Sequence, residues 1–246
     1  MIAKTFAKGP ALIGYFTLGD GGMDYSLASA LALVEGGVDL LEIGLPFSDP
    51  VADGPIIQKA MERSLKNGTK TQDLIPFIKA FREKSQVPIV VFSYYNPILA
   101  AGKRFLDEAH AAGANGILIV DLPFEEIPQS ALDPILIVSA STSQERLEKI
   151  VQKGRGFIYY VCQKGTTGMR GQLPLGSSSA ISRIKQATRL PVAIGFGISN
   201  KETAEQAFEF ADGVVVGSYF VEAMGRKAST EELKQLVKNI DPRRTQ

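Results

Sequence analysis

The stretch Leu40 to Gln58, LLEIGLPFSDPVADGPIIQ, carries three carboxylates, Glu42, Asp49 and Asp53. Glu42 sits inside a short, mostly apolar run, Val38 to Ile43, of the kind expected for a parallel strand covered on both faces. A carboxylate there is costly to desolvate unless it is paired or used. Asp53 follows in a loop stiffened by Pro46, Pro50 and Pro55, where its carboxylate can be aimed back over the strand end. Two acids in different environments, one apolar and one wetter, give a site both an acid and a base near neutral pH. The bland alternative is a strand-end glutamate bound to a backbone N–H and a loop aspartate making a turn.

Strands and helices must alternate to place these groups. Short apolar runs at 11–17, 38–43, 87–92, 115–120, 134–139, 156–162, 190–194 and 213–216 read as strands. Helical patterns lie between them, over about 24–35, 56–66, 71–84, 103–112, 142–153, 179–188 and 201–210. Only a short piece, 124–131, precedes the fifth strand. A short helix at 218 and a last one over 230–239 follow the eighth, and the tail DPRRTQ is expected to fray. Eight strand–helix units across 246 residues predict one α/β domain, residues 1–246, folded as a (β/α)8 TIM barrel. A doubly wound open sheet is the competitor. The even composition and the late position of the glycine-rich strand ends favour the barrel.

In a barrel the functional loops lie at the carboxyl ends of the strands. The seventh and eighth strands end in GFGIS and GS, so Gly197, Gly217 and Ser218 read as a phosphate cradle. No P-loop or dinucleotide fingerprint is present. The long loop after the sixth strand, 163–178, reads as a lid, with Lys164 and Arg170 as possible anion contacts. Tyr94, Tyr95, Tyr159 and Tyr160 stand near strand ends, and Phe16 and Phe196 are candidates to line an apolar pocket, with core packing as the alternative. His110 lies in a helical pattern without a second ligand nearby, so no metal is expected. Cys162 has no histidine partner in sequence and reads as structural.

A net charge of +1 gives no electrostatic reason to bind nucleic acid or an anionic membrane. One cysteine excludes an internal disulfide and fits a cytoplasmic protein. No apolar run reaches membrane-span length, and the first residues lack the pattern of a signal peptide. The residues therefore suit acid–base chemistry on a phosphorylated substrate with an aromatic or apolar part. They do not separate a lyase from an isomerase.

LEIGLPFSDPVADGP resembles the signature of the tryptophan synthase alpha subunit family. YFTLGD, YYNPI, DLP, GFIYYV followed by GTTG, GFGIS and VVGS support the resemblance in order along the chain. The family cleaves indole-3-glycerol phosphate to indole and glyceraldehyde 3-phosphate, by a retro-aldol reaction that needs no metal and no cofactor of its own. The resemblance implies that Glu42 is the acid–base carboxylate, protonating indole C3 and taking the proton of the glycerol hydroxyl. Asp53 would hold the indole N–H and stay ionised. Tyr159 would stand near the reacting side chain, Phe16 and Tyr95 would line the indole pocket, and Thr167 would be the lid threonine. Gly168, Gly197, Gly217 and Ser218 would contact phosphate, with Phe196 beside them. The implied partner is a beta subunit that carries pyridoxal phosphate, in an αββα complex, with Pro46 and Asp49 facing it. Lid residues 162–164, 166 and 169, the short segment 124–133, and SAST at 139–142 depart from the family's usual residues. They leave a second possibility, a weak lyase that chiefly activates its partner.

Overall fold

The computed structural model describes residues 2–161, 173–195 and 197–244. Its strands are β1 (Ala11–Thr17), β2 (Leu40–Gly44), β3 (Ile89–Ser93), β4 (Gly116–Ile119), β5 (Asp133–Pro134), β6 (Leu136–Ser139), β7 (Ile158–Val161), β8 (Val192–Gly195) and β9 (Gly213–Val216). All neighbours pair in parallel, in the order β5-β4-β3-β2-β1-β9-β8-β7-β6. The two ends of this row are joined by Ile135 alone, whose N–H donates to the Ile117 carbonyl at 2.9 Å. The sheet is thus an almost closed barrel of TIM type.

The fifth strand expected over 134–139 is in fact two pieces. Pro134 has no N–H to continue the ladder, and its carbonyl accepts from Arg155 at 3.0 Å, on the β7 side. The chain changes neighbour there, from β4 to β7. The sixth, seventh and eighth strands of the sequence reading are therefore β7, β8 and β9.

Side chains alternate along each strand between two layers. Ile13, Tyr15, Leu40, Val90, Leu118, Ile135, Tyr159, Ala193 and Val215 fill the barrel interior. Leu12, Phe16, Leu41, Ile43, Val91, Ile117, Val138, Tyr160, Ile194 and Val216 point outward, against the helices. That outer shell comprises α2 (Met23–Gly36), α3 (Pro55–Lys66), α4 (Leu74–Arg82), α5 (Tyr95–Ala101), α6 (Phe105–Ala112), α7 (Gln144–Lys153), α8 (Ser177–Ala187), α9 (Lys201–Phe208), α10 (Ser218–Gly225) and α11 (Thr230–Ile240). Ser143, Asn200 and Ser229 cap α7, α9 and α11 through side-chain oxygens. Between β4 and β5 there is only a 3-10 turn, Phe124–Glu126, as the short segment implied.

Three features depart from the sequence reading. A helix at the start, α1 (Ile2–Phe6), is too short to show a period. It packs under the barrel, with Ile2 fully buried and the Phe6 ring 5.6 Å from that of Phe157. Gly116 makes room for it, since a Cβ there would lie 2.8 Å from Ile2 Cδ1. α5 was hidden because Asn96 and Pro97 read as a turn, although proline is tolerated in a first helical turn. The tail is anchored through Arg244. Arg243 donates to buried Asp241 at 2.7 and 2.8 Å and to Asp39 at 2.7 Å, tying the end of the chain to the foot of the barrel. The residues that suggested a frayed end are those that hold it down.

Candidate active site

A cavity of about 240 Å³, open at its mouth, lies at the carboxyl ends of the strands. Its floor and walls are Tyr15, Glu42, Phe92, Ile137, Tyr159 and Val215. Asp53 and Ile57 come from the second strand–helix unit, and Gly197, Gly217 and Ser218 come from beyond the ends of β8 and β9. Apolar side chains dominate the lining, with few polar groups converging on it, which is the usual make-up of a small-molecule site.

Glu42 is the third residue of β2 and faces inward, opposite Tyr15 of β1 in the register. It is completely buried, and neither carboxyl oxygen has a hydrogen-bond partner among the described residues. Burial alone pushes its pKa to about 8. The alternative of a strand-end glutamate held by a backbone N–H therefore does not apply.

Asp53 is only 4% exposed. The Tyr94 hydroxyl donates to its Oδ2 at 2.6 Å and accepts from the Ala52 N–H at 2.9 Å, so one phenol fixes both the loop and its carboxylate. The Phe47 ring packs on Tyr94 at 5.2 Å, and Gln58 Nε2 donates to the Asp53 carbonyl at 2.7 Å. The expectation of a wetter aspartate is corrected here. Burial raises Asp53 to about 6, and the Tyr94 hydrogen bond restrains the rise. The two carboxyls still differ in the expected order, and they straddle neutrality.

Gly197 has φ +86°, a conformation that favours glycine. Gly217 immediately precedes α10, and Ser218 is the first residue of that helix, whose opening N–H groups have no partner within it. Gly197, Gly217 and Ser218 thus line the same cavity as the two carboxyls.

Several expected positions fall elsewhere. Phe16 lies on the outward face of β1 and packs on Phe77 at 5.9 Å, so it does not line the cavity. Tyr15, one residue earlier, does, and strand alternation relative to Glu42 carried that information. Tyr95 starts α5, with its N–H donating to Asp121 Oδ1 at 2.8 Å, and it packs against the outer core. Phe92, two residues after inward-facing Val90 on β3, lines the cavity instead, and Tyr94, just past the strand, holds Asp53. Tyr159 lines the cavity, with its phenol across Gly195, where a Cβ would come within 2.0 Å of Oη. Ser139 also reaches the lining, with no sequence signal to single it out.

Pro46 is buried within this chain, against the expectation that it faces a partner, because it follows β2 directly into the packed loop. Asp49 is exposed, beside Val51 at 77% exposure. His110 is exposed on α6. Among the described residues no group of histidine, cysteine, aspartate or glutamate is arranged to hold a metal ion, and no helix is long and apolar enough to cross a membrane. Thr167, Gly168 and Phe196, and the lid positions Cys162, Lys164 and Arg170, lie outside the described residues.

A sequence model of the family "Tryptophan synthase alpha chain" matches residues 2–244. The chain belongs to the tryptophan synthase alpha chain family. Among relatives, the tryptophan synthase alpha chain of Coxiella burnetii is 47% identical over 248 residues, covering 98% of this chain and 97% of that one. The alpha chain of Chlamydia felis is 48% identical over 253 residues, covering 98% of each. Among solved structures, the tryptophan synthase a2b2 complex of Pyrococcus furiosus contains a chain 40% identical, with a TM-score of 0.87, covering 94% of this chain and 98% of that one. The aminoacrylate-bound tryptophan synthase of M. tuberculosis gives 31% and a TM-score of 0.88, covering 98% of each. Tryptophan synthase alpha chains are lyase subunits that cleave indole-3-glycerol phosphate, and this chain shares their barrel along nearly its whole length.

Proposed function

We propose that Glu42 and Asp53 cleave indole-3-glycerol phosphate to indole and glyceraldehyde 3-phosphate in this cavity. The observation that carries the reading is the pair of buried carboxyls on opposite sides of neutrality, facing one apolar cavity whose lining also holds Gly197, Gly217 and Ser218. At pH 7 a carboxyl of pKa about 8 is mostly protonated, and one of about 6 is mostly ionised. Glu42 is therefore the acid. It delivers its proton to C3 of the indole ring, which turns that carbon tetrahedral and leaves positive charge on the ring nitrogen. Asp53, held by Tyr94, accepts the ring N–H and stabilises that charge. Glu42, now a carboxylate, removes the proton of the adjacent hydroxyl. The C–O bond becomes a carbonyl, the ring–carbon bond breaks, and its electron pair restores the aromatic ring. Indole and the aldehyde result, and Glu42 ends protonated, as it began.

The phosphate sits against Gly197, Gly217 and Ser218, where backbone N–H groups and the dipole of α10 favour an anion. Thr167, Gly168 and Phe196 complete the lid and phosphate side in this reading. The chain, 1–246 as one working barrel in the cytoplasm, uses no cofactor of its own. Pyridoxal phosphate belongs to a beta subunit, which joins the released indole to serine. The Pyrococcus structure concerns mutual activation within its a2b2 complex, which supports a like assembly here. The exposed edge of loop two, with Asp49, Val51 and Leu65 beside it, supplies a face for that partner. Coupling then requires that loop closure differ in energy between the partner's states.

The test is release of indole and glyceraldehyde 3-phosphate from indole-3-glycerol phosphate, by this chain alone and with a beta subunit. Equimolar products, formed faster with the partner, are expected. No products in either case, with the partner still stimulated, would leave only the activating role.

A further inference from the structure

Ser139 carries a hydroxyl on the cavity wall to which the reaction above gives no task. It ends β6, where Leu136 and Val138 point outward while Ile137 and Ser139 reach the cavity. In the register it stands beside Val161 of β7. Around the barrel, C3 and the N–H of the indole belong to β2 and its loop, through Glu42 and Asp53, and the phosphate belongs to the ends of β8 and β9. The six-membered ring is left with the sector from β3 to β7. Phe92, Val120, Ile137 and Val161 line that sector, with Tyr159, whose phenol lies across Gly195 of β8. Among the described residues, Ser139 thus sets a hydroxyl into an otherwise apolar wall. A serine hydroxyl donates one hydrogen bond and accepts two. Ser139 Oγ lies 3.0 Å from Ser141 Oγ and 3.3 Å from Thr142 Oγ1, which uses two of these three places. One place is left. Ser139 is only half-buried, and it lines the cavity, so that place is open to a bound molecule.

We propose that Ser139 determines specificity at the six-membered ring, by hydrogen-bonding a hydroxyl carried on one of its carbons, so that ring-hydroxylated indoles are accepted beside the parent. The proposal rests on the substrate reading above and deepens it. Against a wholly apolar wall such a hydroxyl would lose its water and gain nothing. Against Ser139 it exchanges that water for a protein partner. The parent ring carries no such group and does not use the contact.

The test runs the cleavage in reverse. Glyceraldehyde 3-phosphate is condensed with indole, and with the hydroxyindoles that carry the hydroxyl at each carbon of the six-membered ring in turn. The quantity read is kcat/KM for each hydroxyindole divided by kcat/KM for indole in the same protein. A general disturbance of the barrel moves both values and cancels in the ratio. In wild type the best hydroxyindole should lie within about tenfold of indole. Ser139→Ala should lower that ratio about 3- to 10-fold, as for one neutral hydrogen bond. The turn itself survives the change, because the N–H of residue 139 still donates to Thr142 Oγ1, as it does at 3.0 Å in the wild type. Ratios left unchanged for every isomer would overturn the proposal. So would a wild type that rejects every hydroxyindole more than about tenfold, since the hydroxyl would then find no partner in the wall. If wild-type protein fails to condense indole itself, the substrate reading falls, and the proposal with it.

Discussion

Replacing Glu42 by glutamine removes one titrating group from the centre of the barrel, and its signature is readable in stability as well as in activity. The carboxyl titrates near 4.5 when free and near 8 in the fold. Between those values the folded protein holds a proton that the unfolded chain has released. Stability therefore falls as pH rises through that window, by about 1.4 kcal/mol per pH unit, and levels off above it. From pH 5 to 8 the accumulated loss is about 4 kcal/mol, a large part of the roughly 5–15 kcal/mol that holds a typical domain together. Glutamine carries no such slope. The difference in unfolding free energy, Glu42→Gln minus wild type, should climb steadily from pH 5 to 8 and then stay flat. Asp53, also raised by burial, contributes a slope at lower pH in both proteins and cancels in the difference. Urea denaturation of the two proteins at five pH values from 5 to 9 makes the measurement. Parallel curves would refute the reasoning, because they would mean that Glu42 titrates as an ordinary surface glutamate. The same variant should lose about 10²- to 10⁴-fold in cleavage, as expected for loss of a general acid–base.

Three further outcomes are expected. Tyr94→Phe removes the 2.6 Å hydrogen bond that restrains Asp53, so the Asp53 pKa should rise above about 6 and the acid limb of kcat/KM should move to higher pH; an unmoved limb would dissociate Tyr94 from Asp53. Gly217→Ala has room in the free protein, since its Cβ would meet Tyr15 Cδ1 at an ordinary 3.5 Å, so urea stability should hold while KM rises about tenfold or more; an unchanged KM would remove Gly217 from the phosphate seat. Arg243→Ala leaves buried Asp241 with only Arg244 and frees the chain end from Asp39, so unfolding by urea should register a loss of about 2–4 kcal/mol; a loss under about 0.5 kcal/mol would show that the tail adds nothing.

The barrel was legible because its strands are short apolar runs separated by helices of the right period, and a parallel strand buried on both faces writes itself that way. Glu42 was legible because a carboxylate breaks that pattern. Two other kinds of information were present but easily misread. Tyr15 and Phe16 are adjacent aromatics on one strand, and only their parity relative to Glu42 decides which enters the cavity. At Tyr94 and Tyr95 the inward parity of Val90 and Phe92 carries on one residue past β3, and a contact with Asp53 across the chain holds Tyr94 there. The burial of Asp53 was not legible at all. A loop rich in proline, serine and aspartate reads as solvent-exposed, and only the packing of Phe47 and Tyr94 over it excludes water. For α1, likewise, the room it occupies is made by glycines far away in sequence.

The central claim is that a buried, neutral Glu42 starts the reaction, and the basic limb of the pH–rate profile tests it most directly. In kcat/KM for cleavage of indole-3-glycerol phosphate by the wild-type protein, activity should be sustained to about pH 8 and then fall about tenfold per unit as Glu42 loses its proton. Activity that holds level well beyond pH 9, or that already declines from the ordinary carboxyl range near pH 4.5, would contradict the account.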